Sequence, residues 1–407
     1  VSSRSRPAGV ATDRPPRVWM AGFGIVLAGT MAVATQINSV VPVLAPLIVV
    51  ELGLARADLG VIISVVALGG ACTSLAAGPI ADRIGGRLMT VLIFVVGVGV
   101  LAVVATSRSL VGLVVAAALC ALTNGSGNPA TNTLIASRLP VGRRGVTMGV
   151  KQSGVYMGVV LAGVVLPPAA EAWGWRAAVW LAVLVPVSLA LLTFRVVSPD
   201  PRRRTCKEYT VDDTFRPSRT VWWMTAYGLL MGMGAGAMLA FLPLFAEEGV
   251  GLSVQGAGLV AGTYGLLGVI GRIVWAGASE RLQHYALPLG ALALMSAAAA
   301  TMFVFAGPDR VWLLWVGAVL AGSSVAAWNA VVMLAVVVHA GGGHTGRASG
   351  LVGFGFLTGL GSAPVVFGWM VDLSDEYERA WATVVAVLLA AAATSYMWWR
   401  DEQRHQG

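Results

Sequence analysis

The sequence predicts an all-α membrane protein of twelve transmembrane helices, arranged as two pseudo-symmetric six-helix bundles. Three observations carry that expectation. Charged residues make up 11% of the chain and hydrophobic ones 57%, with a mean hydropathy of +0.80, whereas ordinary soluble domains are roughly one quarter charged. Apolar runs of about 18 residues or more recur along the whole length, each able to cross a hydrocarbon layer of about 30 Å at about 1.5 Å per residue. A single long polar stretch, "SPDPRRRTCKEYTVDDTFRPSR", interrupts them at mid-chain.

Apolar runs, read against Gly/Pro and charge punctuation, place each element in turn. Residues 1–17 are a basic, Pro-rich tail, and the run after it is too long for a signal core of about 7 to 15 residues, so 18–45 is a retained first helix. Spans at 58–80, 88–106, 109–136, 146–168 and 175–197 complete a first bundle over 18–197. The loop 198–220 separates it from a second bundle over 221–399, with spans at 221–245, 254–279, 285–306, 311–338, 348–371 and 380–399 and a tail at 400–407. Gly149, Gly154 and Gly158 in the fifth span match Gly350, Gly355 and Gly359 in the eleventh, all at an offset of 201, in keeping with two parallel repeats.

Loop arginines orient the chain. With both termini cytoplasmic, nineteen basic residues fall inside and only Arg56, Arg108, Arg176, Arg310 and Arg379 outside. The net charge of +8 is therefore a topology signal spread over short loops, not a nucleic-acid patch. Cys72, Cys120 and Cys206 form no CxxC pair and have no nearby histidine, so neither a disulfide framework nor a metal site is expected. No phosphate-binding GxxxxGK[ST] loop and no Ser-His-Asp constellation occurs; ATP does not drive the protein directly, no enzyme is expected and no cofactor is called for.

Between the second and third spans stands "GPIADRIGGR". Gly78 permits close helix approach, Asp82 can accept hydrogen bonds at a helix end, and Arg83 and Arg87 hold the turn on the inner face. This stretch resembles the loop signature Gly-x-x-x-Asp-Arg-x-Gly-x-Arg of the major facilitator superfamily, with Gly78, Asp82, Arg83, Gly85 and Arg87 in register. Its counterpart in the second half is "AGASERL", where Ala276 stands for the first glycine and Glu280 and Arg281 for the Asp-Arg pair. The resemblance implies two bundles rocking about a central site, a latch at the Asp82 carboxylate, a monomer, and residence in a bacterial cytoplasmic membrane.

All nineteen carboxylates map to loops or span ends, and Arg195 lies at the inner end of the sixth span. Two cations remain deep in apolar runs, Lys151 and Arg272. Arg272 is nine residues from Arg281, roughly 13 Å into the membrane, whereas Lys151 is six residues past Gly145, roughly 9 Å deep and within reach of the inner interface. An intramembrane arginine costs at least a few kcal/mol without a partner, and the sequence offers no intramembrane acid. The counter-ion is then an anionic substrate, which a planar guanidinium holds bidentately; backbone carbonyls or Glu280 are the alternative partners.

The stretch "GRIVWAGASER" resembles the eighth-helix pattern of oxalate/formate antiporter and monocarboxylate transporter-like members, at Gly271, Arg272, Trp275 and Ser279, where that arginine binds a carboxylate. "GVKQSG" in the fifth span resembles the cyanate transporter-like group, also anion-directed. The oxalate-type lysine of the eleventh span is absent, since Val352, Phe354 and Phe356 stand there, which favours a monocarboxylate or similar monoanion. Gln36, Asn38, Asn128, Gln152, Tyr156, Tyr227, Trp328 and Asn329 are further candidates to line the cavity, each equally a source of interhelical hydrogen bonds. The stripe Asn124, Asn128 and Asn132 reads as packing glue, and Phe354, Phe356, Met231, Met233 and Met238 as apolar packing.

With no buried carboxylate to relay protons, three modes of coupling stay open: a proton carried by the substrate, titration of Lys151, or anion exchange. The rival function is efflux of lipophilic drugs, whose fifth-helix Gly-Pro-x-x-Gly-Gly signature is missing from "GVVLAGVVLPPAAEAWG". A non-transporting membrane sensor is a more distant one.

Overall fold

A computed structural model describes residues 17–54, 56–140, 142–199, 216–252, 254–339, 344–374 and 376–406. The N-terminal tail up to residue 16 and most of the central loop lie outside the described residues. Among the described residues, fifteen α-helices make up the twelve spans. They are α1 (Arg17–Ala34), α2 (Ile37–Leu52), α3 (Arg56–Ile84), α4 (Gly86–Thr106), α5 (Leu110–Arg138), α6 (Arg144–Trp173), α7 (Trp175–Ala182) and α8 (Leu184–Val196), then α9 (Arg219–Leu244), α10 (Val254–Leu282), α11 (Ala286–Phe305), α12 (Val311–Ser324), α13 (Trp328–His339), α14 (Thr345–Ser374) and α15 (Tyr377–Gln406). Eleven stretches are long and apolar enough to cross a membrane, and the bent pair α1/α2 supplies the twelfth, as the sequence predicts.

Three predicted spans are broken, and each break has a local cause. The first bends by 58° between α1 and α2. There Thr35, Gln36, Asn38 and Ser39 donate backbone N–H to residues three back, and Thr35 Oγ1 donates to Met31 O at 3.1 Å, a back-bond that bends helices. The sixth divides at Val183 because Pro186 has no N–H to offer Ala182. The tenth divides over Val325–Ala327 with no proline nearby, and the freed Ala326 carbonyl turns to a side chain from another span.

The glycine repeat has a packing meaning. A Cβ on Gly154 would lie 1.9 Å from Ala28 O, and one on Gly158 3.2 Å from Ala32 Cβ, so α6 meets α1 backbone to backbone. Their mates at an offset of 201, Gly355 and Gly359, stand against Thr225 O and Leu229 O in the same manner, bringing α14 onto α9. Gly149 and Gly350, also mates, abut Ile273 in α10 and Ser74 in α3 across the boundary between bundles. The fifth and eleventh spans are thus the equivalent helices through which each bundle holds its own first span and touches its neighbour.

The bundles are joined on the arginine-rich side. Asp82 accepts from Gly346 N (2.8 Å) and Arg347 N (2.9 Å) at the start of α14. Glu280 accepts from Gly142 N (3.0 Å), Arg144 N (2.8 Å) and Gly145 N (2.9 Å) around the start of α6. Each carboxylate fills the role of the missing intrahelical acceptors at a helix N-terminus, where the helix dipole also favours negative charge.

Candidate functional site

Lys151, Gln152 and Tyr156 project from α6 where it runs between the bundles. Lys151 is fully buried rather than extended to the interface, which corrects the expectation from depth alone. Its Nζ donates to Asn128 Oδ1 at 2.9 Å and Asn132 Oδ1 at 2.6 Å. The two asparagines are one turn apart on α5, so their side chains lie together on one face. What reads in sequence as packing glue is in the structure the acceptor pair of a buried amine.

Gln152 Nε2 donates to Asn128 Oδ1 at 3.0 Å and also to Asn329 Oδ1 of α13. Asn128 and Asn329 are themselves separated by 201 residues, the spacing of the glycine repeat. One amide therefore bridges two equivalent asparagines, one from each bundle, which puts Gln152 close to the pseudo-symmetry axis. Asn132 extends the bridge, its Nδ2 donating to Ser349 Oγ (2.8 Å) in α14 and to Met333 Sδ (3.3 Å) in α13. Asn329 Nδ2 is buried and has no hydrogen-bond partner among the described residues.

Arg272 of α10 is 8% exposed. Its Nε donates to Ala326 O, in the break of the tenth span, and its Nη1 to Gln152 O, both at 2.6 Å. Of the partners the sequence left open, backbone carbonyls are the ones found, and Glu280 instead holds the start of α6. The Arg272 guanidinium carbon lies 4.5 Å from the centre of the Tyr156 ring, a cation–π contact. Nη2 has no hydrogen-bond partner among the described residues. Tyr264, which sequence reasoning passed over, is buried on the same helix within electrostatic reach of Arg272 and Tyr156.

Other candidates divide. Trp328 opens α13 beside the break and packs edge-on to Tyr227 (5.7 Å) and Phe356 (5.3 Å). The Tyr227 hydroxyl donates to Leu289 O at 2.7 Å inside the second bundle, so it serves that bundle's packing. Gln36 lies apart from the cluster: its Nε2 donates to Gly97 O at 2.7 Å, and with Ser39 it supplies the polar part of an otherwise apolar pocket of about 340 Å³ that is lined by first-bundle residues and opens at the surface beside Leu161 and Leu184. Asn38 follows it past the same bend, with Oδ1 buried and unpaired among the described residues.

In the gate motif, a Cβ on Gly78 would meet Gly346 O at 2.6 Å, and Gly85 caps α4 with φ at 88°, a conformation open to glycine. Arg87 lies over the Phe194 ring at 5.3 Å, while Arg83 and Arg281 are exposed on the arginine-rich side. Sequence reasoning missed Ser349, Tyr264 and the Ala326 carbonyl. The Asn128–Asn329 spacing was the available signal for the first bridge.

Residues 26–364 match the model of the Major Facilitator Superfamily. A probable sulfoacetate transporter of Cupriavidus necator is 24% identical over 381 residues, covering 87% of this chain and 88% of its own length. A gallate transporter of Pseudomonas putida is 26% identical over 270 residues, 57% of this chain and 59% of that protein, and a Bacillus subtilis hexuronate transporter is 26% identical over 171 residues, covering 42% and 40%. The crystal structure of FucP in the outward conformation superposes with a TM-score of 0.74 at 15% identity, over 94% of this chain and 99% of that one. With twelve spans in two bundles, the Asp82 loop in place and a family match across most of its length, the chain belongs to the Major Facilitator Superfamily of transporters.

Proposed function

We propose that this transporter carries a small organic monoanion, a monocarboxylate or a group of similar charge and shape, by proton symport or anion exchange, with Arg272 as its anion-binding group. The observation that supports this reading is the charge balance of the centre, where Arg272 is a standing positive charge and Lys151 a basic group able to add a second. Lys151 and Arg272 are both buried there, and every hydrogen bond described for them ends on a neutral oxygen. The ion pairs among the described residues, such as Glu51 with Arg176 and Arg219 with Asp401, lie near helix ends instead. A buried charge without a counter-ion costs several kcal/mol, so an entering anion gains what the protein leaves unfilled. Nη2 of Arg272, with no hydrogen-bond partner among the described residues, keeps N–H donors to offer a carboxylate oxygen. Relatives named for sulfoacetate, gallate, hexuronate and 4-hydroxybenzoate agree with an acidic substrate. The arginine bias of the loops supports an inner-membrane protein with both termini cytoplasmic.

Uptake into proteoliposomes tests this reading with a panel of hexuronate, gallate, 4-hydroxybenzoate, sulfoacetate, cyanate and a hydrophobic cation. At least one anion is expected to be carried, and Arg272→Ala to reduce that uptake by about tenfold to a hundredfold, the worth of a charge-assisted hydrogen-bond pair. Arg272→Lys is expected to fall nearly as far, because a point charge does not replace the planar fork. Full uptake by Arg272→Ala, or transport of the hydrophobic cation alone, would overturn the anion reading and leave lipophilic efflux in its place.

A further inference from the structure

We infer that Lys151 is the proton carrier of this transporter: its amine is neutral while the arginine-rich side is closed, and it takes up one proton as a monoanion enters beside Arg272. The inference rests on the anion reading above and adds the coupling ion to it.

The first ground is donor arithmetic. A neutral lysine amine has two N–H donors and an ammonium three. Lys151 Nζ has two acceptors, Asn128 Oδ1 and Asn132 Oδ1. Both are committed in that orientation: Asn128 Oδ1 also receives Gln152 Nε2, and Asn132 turns its own Nδ2 to Ser349 and Met333. Two donors meet two acceptors among the described residues, and the third position around Nζ holds either an unpaired N–H of a buried charge or the lone pair of a neutral amine, which is the cheaper of the two to bury.

The second ground is the charge around it. On α6 itself the titratable groups are Arg144, Tyr156 and Glu171. The helices packed against α6 add Arg17 of α1, Glu51 of α2, Cys120 and Arg138 of α5, Arg176 of α7, His339 of α13, and Tyr264, Arg272, Glu280 and Arg281 of α10. Most stand at helix ends. Glu280 is spent on three backbone amides about 9 Å below by helical rise. Arg272, joined to the next residue through Gln152 O, is positive and opposes a second charge beside it.

An anion on Arg272 reverses that balance. Its negative charge favours the ammonium, and by linkage the ammonium favours the anion. The proton comes from solution on the side from which the anion enters and binds the lone pair of Nζ; no covalent bond is exchanged. The empty centre carries one positive charge, on Arg272. The loaded centre carries two positive charges and one negative, again a net charge of one. Symport of one proton with one monoanion is therefore electroneutral and is driven by a pH gradient, not by the membrane potential.

The chain has only two lysines, Lys151 and Lys207, so isotope-labelled lysine in the Lys207→Arg protein gives a single ε-methylene resonance by NMR. At pH 7 without ligand it is expected at the free-amine position, and on adding the mixed anion panel it should move to the ammonium position. An ammonium signal in the ligand-free protein overturns the inference, as does a free-amine signal that persists while a panel anion is retained by the protein. If no panel anion binds, the anion reading fails, and the ligand-free resonance still decides the state of Lys151. In proteoliposomes, hexuronate accumulation is expected to rise about tenfold per unit of pH gradient in the wild type. Lys151→Arg, which cannot release a proton, is expected to lose that dependence. Equal pH dependence in the two proteins overturns the inference.

Discussion

Gly154→Leu is expected to yield no folded transporter. The added Cβ alone would sit 1.9 Å from Ala28 O and 2.6 Å from Ala28 C, and both atoms belong to the backbone of α1, which cannot rotate aside as a side chain does. To relieve the overlap α1 and α6 must separate by more than an ångström. That opens the packing around Phe23 and Leu27 and shifts the strip of α6 carrying Lys151 and Gln152. Overpacking of this kind costs at least about 1–3 kcal/mol where neighbours can shift, and here they cannot. Gly163 is the control, on the same helix with nothing within 4 Å of where a Cβ would stand. Size-exclusion chromatography of detergent-solubilised protein should give a monodisperse peak for Gly163→Leu and loss or aggregation for Gly154→Leu. A Gly154→Leu protein of normal yield and melting temperature would refute the backbone-contact account of the repeat.

Glu280→Ala is expected to loosen the arginine-rich side more than Asp82→Ala does. Glu280 satisfies three backbone N–H groups of the opposite bundle and Asp82 two, each at a helix N-terminus. Removing the side chain leaves those donors facing a packed contact. Gly145 is buried, Arg144 half-buried and Gly142 exposed, so at about 1 kcal/mol per donor cut off from water the closed state loses on the order of 1–2 kcal/mol for Glu280, a population shift of about tenfold. Spin labels at Leu88 and Leu287, both exposed and on different bundles, report the opening as a longer distance population. The double variant should open further than either single one. An unchanged distance distribution in Glu280→Ala would remove the carboxylate from the closure.

Much of this protein is legible along the chain. Span positions follow from apolar length, the arginine asymmetry follows from loop composition, and the Asp82 turn follows from five residues in register. Arg272 is recognisable as anomalous because an ionised group in an apolar run has no local compensation. The helix breaks are only partly legible. Pro186 announces the one at Val183, whereas the break at Val325–Ala327 is marked only by Ser323 and Ser324, whose hydroxyls donate back to Val319 O and Leu320 O, and nothing near it in sequence announces that Arg272 takes the Ala326 carbonyl.

By itself, the sequence determined a chain of twelve spans in two repeats, with two basic residues and no acid in its apolar interior. Those properties depend on length, polarity and spacing, which a linear chain displays. Only the tertiary structure decided what the two basic side chains touch: Lys151 on two asparagines of α5, Arg272 on carbonyls from both bundles, and Gln152 between Asn128 and Asn329. A hydrogen bond needs its partner within about 3 Å in a set direction. Which helices come that close is settled by where glycines let backbones meet, so a residue's partner is a property of the packing and not of its neighbours in sequence.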